Sequence, residues 1–218
     1  VESGIVLKVN EVFHSIQGEG TRTGLPMVFV RLTGCPLRCT WCDTAYAFHE
    51  GRSRPAEELL AEIQAHRCDR VLLTGGEPLV QPAAFDFVSF LLDRGLEVVV
   101  ETSGHVPLDR LDPRAVAIVD VKCPGSGETA RNHWPNLELP RAQDEVKFVI
   151  ADRADYEWAR DVVRERRLHE KRHAVLFSPV HGVLDPGALG RFVLEDALPV
   201  RLQVQLHKVL WPGVERGV

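Results

Sequence analysis

Short apolar runs alternate with helix-period stretches along almost the whole of this chain, a rhythm that fits a buried parallel sheet built from successive β/α units. The runs fall at 27–32, 71–73, 96–100, 116–121, 146–150, 175–177 and 200–206. Between them, a helix is expected from about Pro55, with Leu59, Leu60 and Ile63 on one face, and another over 82–94, ended by Gly95. A third starts from Asp152 as cap and continues to about residue 168; a fourth covers 186–195. Read as about six parallel strands, these seven runs are too few for the eight of a closed barrel, and 218 residues are fewer than the roughly 250 typical of one. A partial, open β/α barrel is therefore the expected architecture, with a doubly wound sheet as the alternative. With 44% hydrophobic residues, the chain suits one domain spanning 1–218 better than two.

The residues with chemical potential recur just after the apolar runs. In β/α folds ligands bind at the C-terminal ends of the strands, so these loops should converge on one site. The first is Cys35-Pro-Leu-Arg-Cys39-Thr-Trp-Cys42, which gathers three thiols in eight residues. A cubane iron–sulfur cluster normally takes four thiolates, so three leave one iron open to another ligand. Structural zinc usually has four Cys or His ligands in paired spacing, and no second pair is present, although His49 is a conceivable fourth ligand. The second is Thr74-Gly-Gly-Glu-Pro78, where Gly75 and Gly76 permit close backbone approach and Glu77 offers an acceptor for an amine. Glu101 and Ser103 occupy the next strand end, as hydrogen-bonding groups for a ribose or amine or as turn residues.

The remaining features set limits. A net charge of -5 argues against a general nucleic-acid binder. Five cysteines, with Cys68 and Cys123 isolated, do not form a disulfide framework and fit a reducing cytoplasm. Neither a secretion signal nor a membrane span is apparent. The stretch 123–141, with Gly125, Gly127, Pro135 and Pro140, reads as a long functional loop, and the charge run 165–173 as a solvated helix end.

The cysteine spacing resembles that of radical S-adenosylmethionine enzymes. The resemblance implies a 4Fe-4S cluster on Cys35, Cys39 and Cys42, chelation of the open iron by the methionyl group, and reductive cleavage to a radical that abstracts hydrogen. Further matches narrow the family: Ser15-Ile-Gln-Gly-Glu-Gly20, Val28-Phe-Val-Arg-Leu-Thr-Gly34, Cys42-Asp-Thr44 and Gln205-Leu-His-Lys208. Together they resemble the 7-carboxy-7-deazaguanine synthases of 7-deazapurine (queuosine) biosynthesis, from about residue 8 to the C-terminus. These are lyases that contract 6-carboxy-5,6,7,8-tetrahydropterin to 7-carboxy-7-deazaguanine with loss of ammonia.

By that resemblance, Ile16, Gln17, Gly18, Arg31, Thr74, His207 and the carboxylate of Val218 bind the pterin, with Arg31 paired to its carboxylate. Thr44 binds Mg2+. Trp41, Cys42, Asp43, Gly75, Gly76, Glu77, Glu101, Ser103, Val121, Lys122, Phe177, Ser178, Pro179 and Val180 contact S-adenosylmethionine. The bland alternatives are a packing role for Trp41, a helix cap for Thr44, a local ion pair for Asp120 and Lys122, and another for Arg31. The resemblance also implies a homodimer and an electron donor such as flavodoxin. A glycyl-radical activating enzyme, acting on a protein partner, and a non-enzymatic metal-binding module are the competing readings.

Overall fold

A computed structural model describes residues 4–139, 141–171 and 174–218. Pro140 of the long loop and the last two residues of the charge run lie outside the described residues. One mixed sheet carries the fold, in the order β3-β1-β2-β4-β5-β6-β7-β8-β9. Its strands are β1 (Val6–Ile16), β2 (Pro26–Leu32), β3 (Arg52–Pro55), β4 (Arg70–Gly75), β5 (Glu97–Thr102), β6 (Val116–Val121), β7 (Glu145–Ile150), β8 (Ala174–Pro179) and β9 (Arg201–Leu202). From β2 to β9 all pairings are parallel, so there are seven parallel strands where about six were expected. The first and last strands in the order do not pair, which leaves the barrel open as expected.

The sequence reading missed the two antiparallel strands. β1 pairs with both β2 and β3, and its register shifts between Val9 and Glu11, which breaks the period-2 pattern that marks a strand. The expected strand over 200–206 is also corrected. Only Arg201–Leu202 pair with β8; the chain then leaves the sheet and forms α5 (Leu206–Leu210). His207 and Lys208 therefore lie on a short helix and not at a strand end.

The crossover helices match their periodicity closely. α1 (Ala56–Ala65) starts after Pro55, α2 (Ala83–Leu92) buries Phe85, Phe87, Val88 and Leu91, and α4 (Pro186–Glu195) is capped by Asp185. α3 (Arg153–Glu165) begins where Asp152 accepts from the Asp155 backbone N–H. It stops short of 168 because Arg167 adopts a left-handed conformation, φ 53°, before a separate turn at Leu168–Glu170.

Alternation along the strands gives the sheet two apolar faces. Val28, Val30, Val71, Leu73, Val98, Val100, Ala117 and Val119 belong to the main core with the helices. Met27, Phe29, Leu72, Val99, Val116 and Ile118 join Phe13 in a second cluster on the other face. Two residues further along each strand, the same inner face presents Arg31, Thr74, Glu101 and Asp120, and Lys147 stands beside Asp120 in register. The sheet thus carries an apolar plug topped by a polar layer at its C-terminal edge.

Candidate active site

That polar layer floors a cavity of about 420 Å³, within the usual range for small-ligand sites. Cys35, Cys39 and Cys42 line it, on the loop between β2 and the turn at Ala45–Phe48. The loop is braced from several sides. Gly76 N–H donates to Leu32 O, Glu77 N–H to Gly34 O, Thr40 N–H to Ser126 O, and Arg38 N–H to Glu128 Oε1. The stretch 123–139 is thus a support for the cysteine loop, folded into short turns at Pro124–Ser126, Thr129–Arg131 and Trp134–Glu138.

The two glycines of the Gly-Gly-Glu segment serve this bracing. A Cβ on Gly76 would stand 2.5 Å from Gly34 O and 2.7 Å from Cys35 Cβ, and one on Gly75 would stand 2.5 Å from Leu32 O. What approaches closely here is protein backbone, in addition to any ligand in the cavity that both glycines line.

Three thiols face one space, and no other cysteine lines it. Among the described residues no three His, Cys, Asp or Glu side chains converge as a single-ion site requires; thiols that grip separate corners of a cube have no need to. The donor set therefore fits a 4Fe-4S cluster with one iron left for another ligand. Burial pushes both the Cys35 and Cys39 thiols up, and Lys122 opposes this at Cys39.

Most of the expected residues meet at this cavity. Ile16, Gln17, Arg31, Trp41, Asp43, Thr44, Thr74, Glu101, Ser103, Lys122, Pro179, Val180, His207 and Val218 all line it. Thr44 Oγ1 is 3.9 Å from Cys42 Sγ, and Lys208 Nζ is 3.7 Å from Asp43 Oδ2. Arg31 is not free: its Nε donates to Glu11 Oε1 at 2.7 Å, and Tyr46 Oη donates to the same oxygen at 3.0 Å. Its guanidinium also lies 5.7 Å from the Phe13 ring centroid and 5.8 Å from that of Tyr46. The ion pair and the cavity position coexist, because Nε is only one corner of the planar fork.

Five residues expected at the site do not line the cavity. Gly18 does not line the cavity; a Cβ there would lie 2.1 Å from His207 Nδ1, so its bare backbone makes room for α5. Val121, Phe177 and Ser178 are buried behind the strand ends. Glu77, with no exposed surface, sits beneath the wall and accepts from Leu79 N–H, Thr102 Oγ1, Ser103 N–H and Ser103 Oγ.

Glu19 and Lys147 were given no role from the sequence, and Asp120 was named only as an ion-pair partner for Lys122, a pair that forms. Lys147 Nζ lies 2.6 Å from Glu19 Oε2 and 3.9 Å from Asp120 Oδ2, and Lys122 Nζ is 3.0 Å from the same Asp120 oxygen. Burial alone would raise the Glu19 carboxyl, but Lys147 reverses this and holds it at about 2. Burial would lower Lys147, and Glu19, Asp120 and Glu101 together push it up instead. Glu101, accepting from Thr74 Oγ1 at 3.2 Å and Gln17 Nε2 at 3.4 Å, is raised by burial, with Lys147 opposing and Glu19 adding to the rise. Glu19 Oε1 accepts from Gln205 Nε2, which ties 17–20 to the start of α5. The signal for Asp120 was its position two residues after inward-facing Ile118, and for Lys147 a charge set inside an apolar strand.

The Radical SAM superfamily pattern matches residues 29–122, the part of the chain that carries the three-thiol loop and the polar strand ends of β2, β4, β5 and β6. The chain is 43% identical to the 7-carboxy-7-deazaguanine synthase of Koribacter versatilis, over 97% of this chain and 100% of that protein. It is 42% identical to that of Chlorobaculum tepidum, over 97% of each. It belongs to the 7-carboxy-7-deazaguanine synthase family. Its fold is similar to the crystal structure of QueE from Escherichia coli, with a TM-score of 0.73 at 24% identity, covering 94% of this chain and 96% of that one.

Proposed function

We propose that this chain contracts 6-carboxy-5,6,7,8-tetrahydropterin to 7-carboxy-7-deazaguanine with loss of ammonia, as a carbon–nitrogen lyase of 7-deazapurine biosynthesis. The observation that carries this reading is 42–43% identity, over 97% of the chain, to synthases of that name, in a chain whose three thiols and polar layer share one cavity. The cluster and S-adenosylmethionine, when bound, supply the radical that starts the rearrangement. Cys35, Cys39 and Cys42 hold the cluster, and Trp41, Gly76, Ser103, Lys122 and Val180 border the space for the cofactor. Arg31, steadied by Glu11, meets the substrate carboxylate, a match for its planar fork. Gln17, Thr74 and the buried carboxylates on the cavity floor present acceptors and donors to the pterin ring. Thr44 contributes one oxygen to Mg2+, which commonly completes its shell with water and substrate oxygens.

The same reading includes a homodimer, supported by apolar side chains left exposed on the segment from Leu202 through Val204, Val209 and Leu210 to Val214. It also includes an electron donor such as flavodoxin, which must reach the half-buried cysteine loop. A cytoplasmic setting agrees with five free thiols, and among the described residues no helix is long and apolar enough to cross a membrane. With the family assigned, the glycyl-radical activating and non-enzymatic readings lose their support. The test is incubation of the reconstituted protein with reductant, S-adenosylmethionine, Mg2+ and the carboxytetrahydropterin. The deazaguanine is expected by mass spectrometry; its absence with a verified cluster overturns the proposal.

A further inference from the structure

As a carboxylate, Glu77 only accepts hydrogen bonds, and that fixes the polarity of its neighbours. Ser103 Oγ lies 2.6 Å from Glu77 Oε2, a contact in which the carboxylate has no hydrogen to give. The single hydroxyl hydrogen of Ser103 is therefore committed to Glu77. The same Oγ lies 2.8 Å from His105 Nδ1. With the hydroxyl hydrogen spent, this second contact is a hydrogen bond only if Nδ1 carries the proton. Turning the hydroxyl toward the cavity would leave two acceptors facing each other across a buried 2.6 Å contact, a costly arrangement.

Ser103 lines the cavity while Glu77 and His105 do not. The geometry points to His105 as a positioning residue: with Glu77 it holds the Ser103 hydroxyl as an acceptor only, to receive a ligand group that donates. Resting on the reading of this cavity as the cofactor site, that group is the ammonium or a ribose hydroxyl of S-adenosylmethionine. Glu77 then serves the cofactor through Ser103 and touches no ligand itself.

The histidine tautomer tests this without turnover. In the reconstituted protein labelled with nitrogen-15 at histidine, the His105 signals, identified by their loss in His105→Asn, should show a protonated Nδ1. A neutral ring with its proton on Nε2 alone overturns the proposal, and this measurement on the unaltered chain stands whether or not any variant folds.

Binding supplies the second arm, with S-adenosylhomocysteine and 5'-methylthioadenosine, which lacks the ammonium. His105→Leu should weaken binding about two- to tenfold, the span of one neutral hydrogen bond. His105→Asn, whose amide nitrogen sits near the position of Nδ1, should restore it. Weakening of S-adenosylhomocysteine alone assigns the ammonium, and weakening of both assigns the ribose. Equal affinities in all three proteins overturn the role of His105. If the unaltered protein binds neither compound, the cofactor reading fails while the tautomer still decides the polarity of Ser103.

Discussion

Along the ends of β2, β4, β5 and β6 the cavity wall is continuous with the hydrophobic core, whereas the flank formed by 17–20 and 203–218 is joined to it by polar cross-links. The wall rests on fully buried valines and leucines and on backbone contacts too close for any side chain, as at Gly75 and Gly76. The flank is held by Leu206 N–H to Gly18 O, Gly20 N–H to Gln203 Oε1, Gln205 to Glu19, and Arg216 to Glu50 at 2.7 Å. Its apolar side chains are turned outward; Val209 is 65% exposed. A wall seated on core is stiff, whereas a flank held by hydrogen bonds and an ion pair gives way more readily, and Glu19 makes its hold depend on pH.

The sharpest way to separate the two regions is to remove the metal ligand set. Cys39→Ala should abolish cluster loading, read as iron and sulfide content after reconstitution, while thermal unfolding of the cluster-free chain stays near that of the unaltered one. Next, Lys147→Met leaves Glu19 buried without its partner. A loss of about 3–5 kcal/mol is expected by denaturant titration, because an unpaired buried charge is costly. Pairing it with Glu19→Leu should recover much of that loss.

Glycine replacements then set wall against flank directly. Gly76→Ala should cost about 1–3 kcal/mol, since only backbone movement can relieve the clash. Gly18→Ala should instead lift α5, raising hydrogen exchange over 206–210 with a smaller change in global stability. Equal effects of the two would dissolve the contrast drawn here.

Acid probes the flank through Glu19. Glu19 is depressed from 4.5 to about 2 in the fold, so its stabilisation is complete above about pH 4.5 and declines as pH falls toward 2. Exchange over 17–20 and 203–208 should rise in that window before the strands open. The smallest effect is expected from Thr44→Ala, which should keep the cluster and weaken only the response of turnover to Mg2+; an unchanged response removes the role assigned to Thr44.

The wall was legible in the sequence because it obeys local rules. Apolar runs marked the strands, 3.6-residue spacing marked α2 and α4, and strand ends carried the unusual residues. The flank was misread because its structure is decided by remote partners. Leu202, Val204 and Leu206 alternate as a strand does, yet after Gln203 N–H bonds Phe177 O the chain finds no further strand and turns to Gly18. Glu77 was misplaced for a related reason. A carboxylate after two glycines looks available to a ligand, and nothing local announces that Thr102 and Ser103 will claim both its oxygens. Lys147 and Asp120 were legible in principle, by counting two residues on from each inward-facing apolar side chain.

The bond from Gln205 to Glu19 spans 186 residues of chain. Ordering such distant segments is a large loop closure that nothing local rewards, so it belongs to the late stage of folding, after neighbouring strands have paired. The side of the chamber facing the cysteine loop is thus closed by a contact of high loop-closure cost, and not by the neighbouring strands that carry the loop.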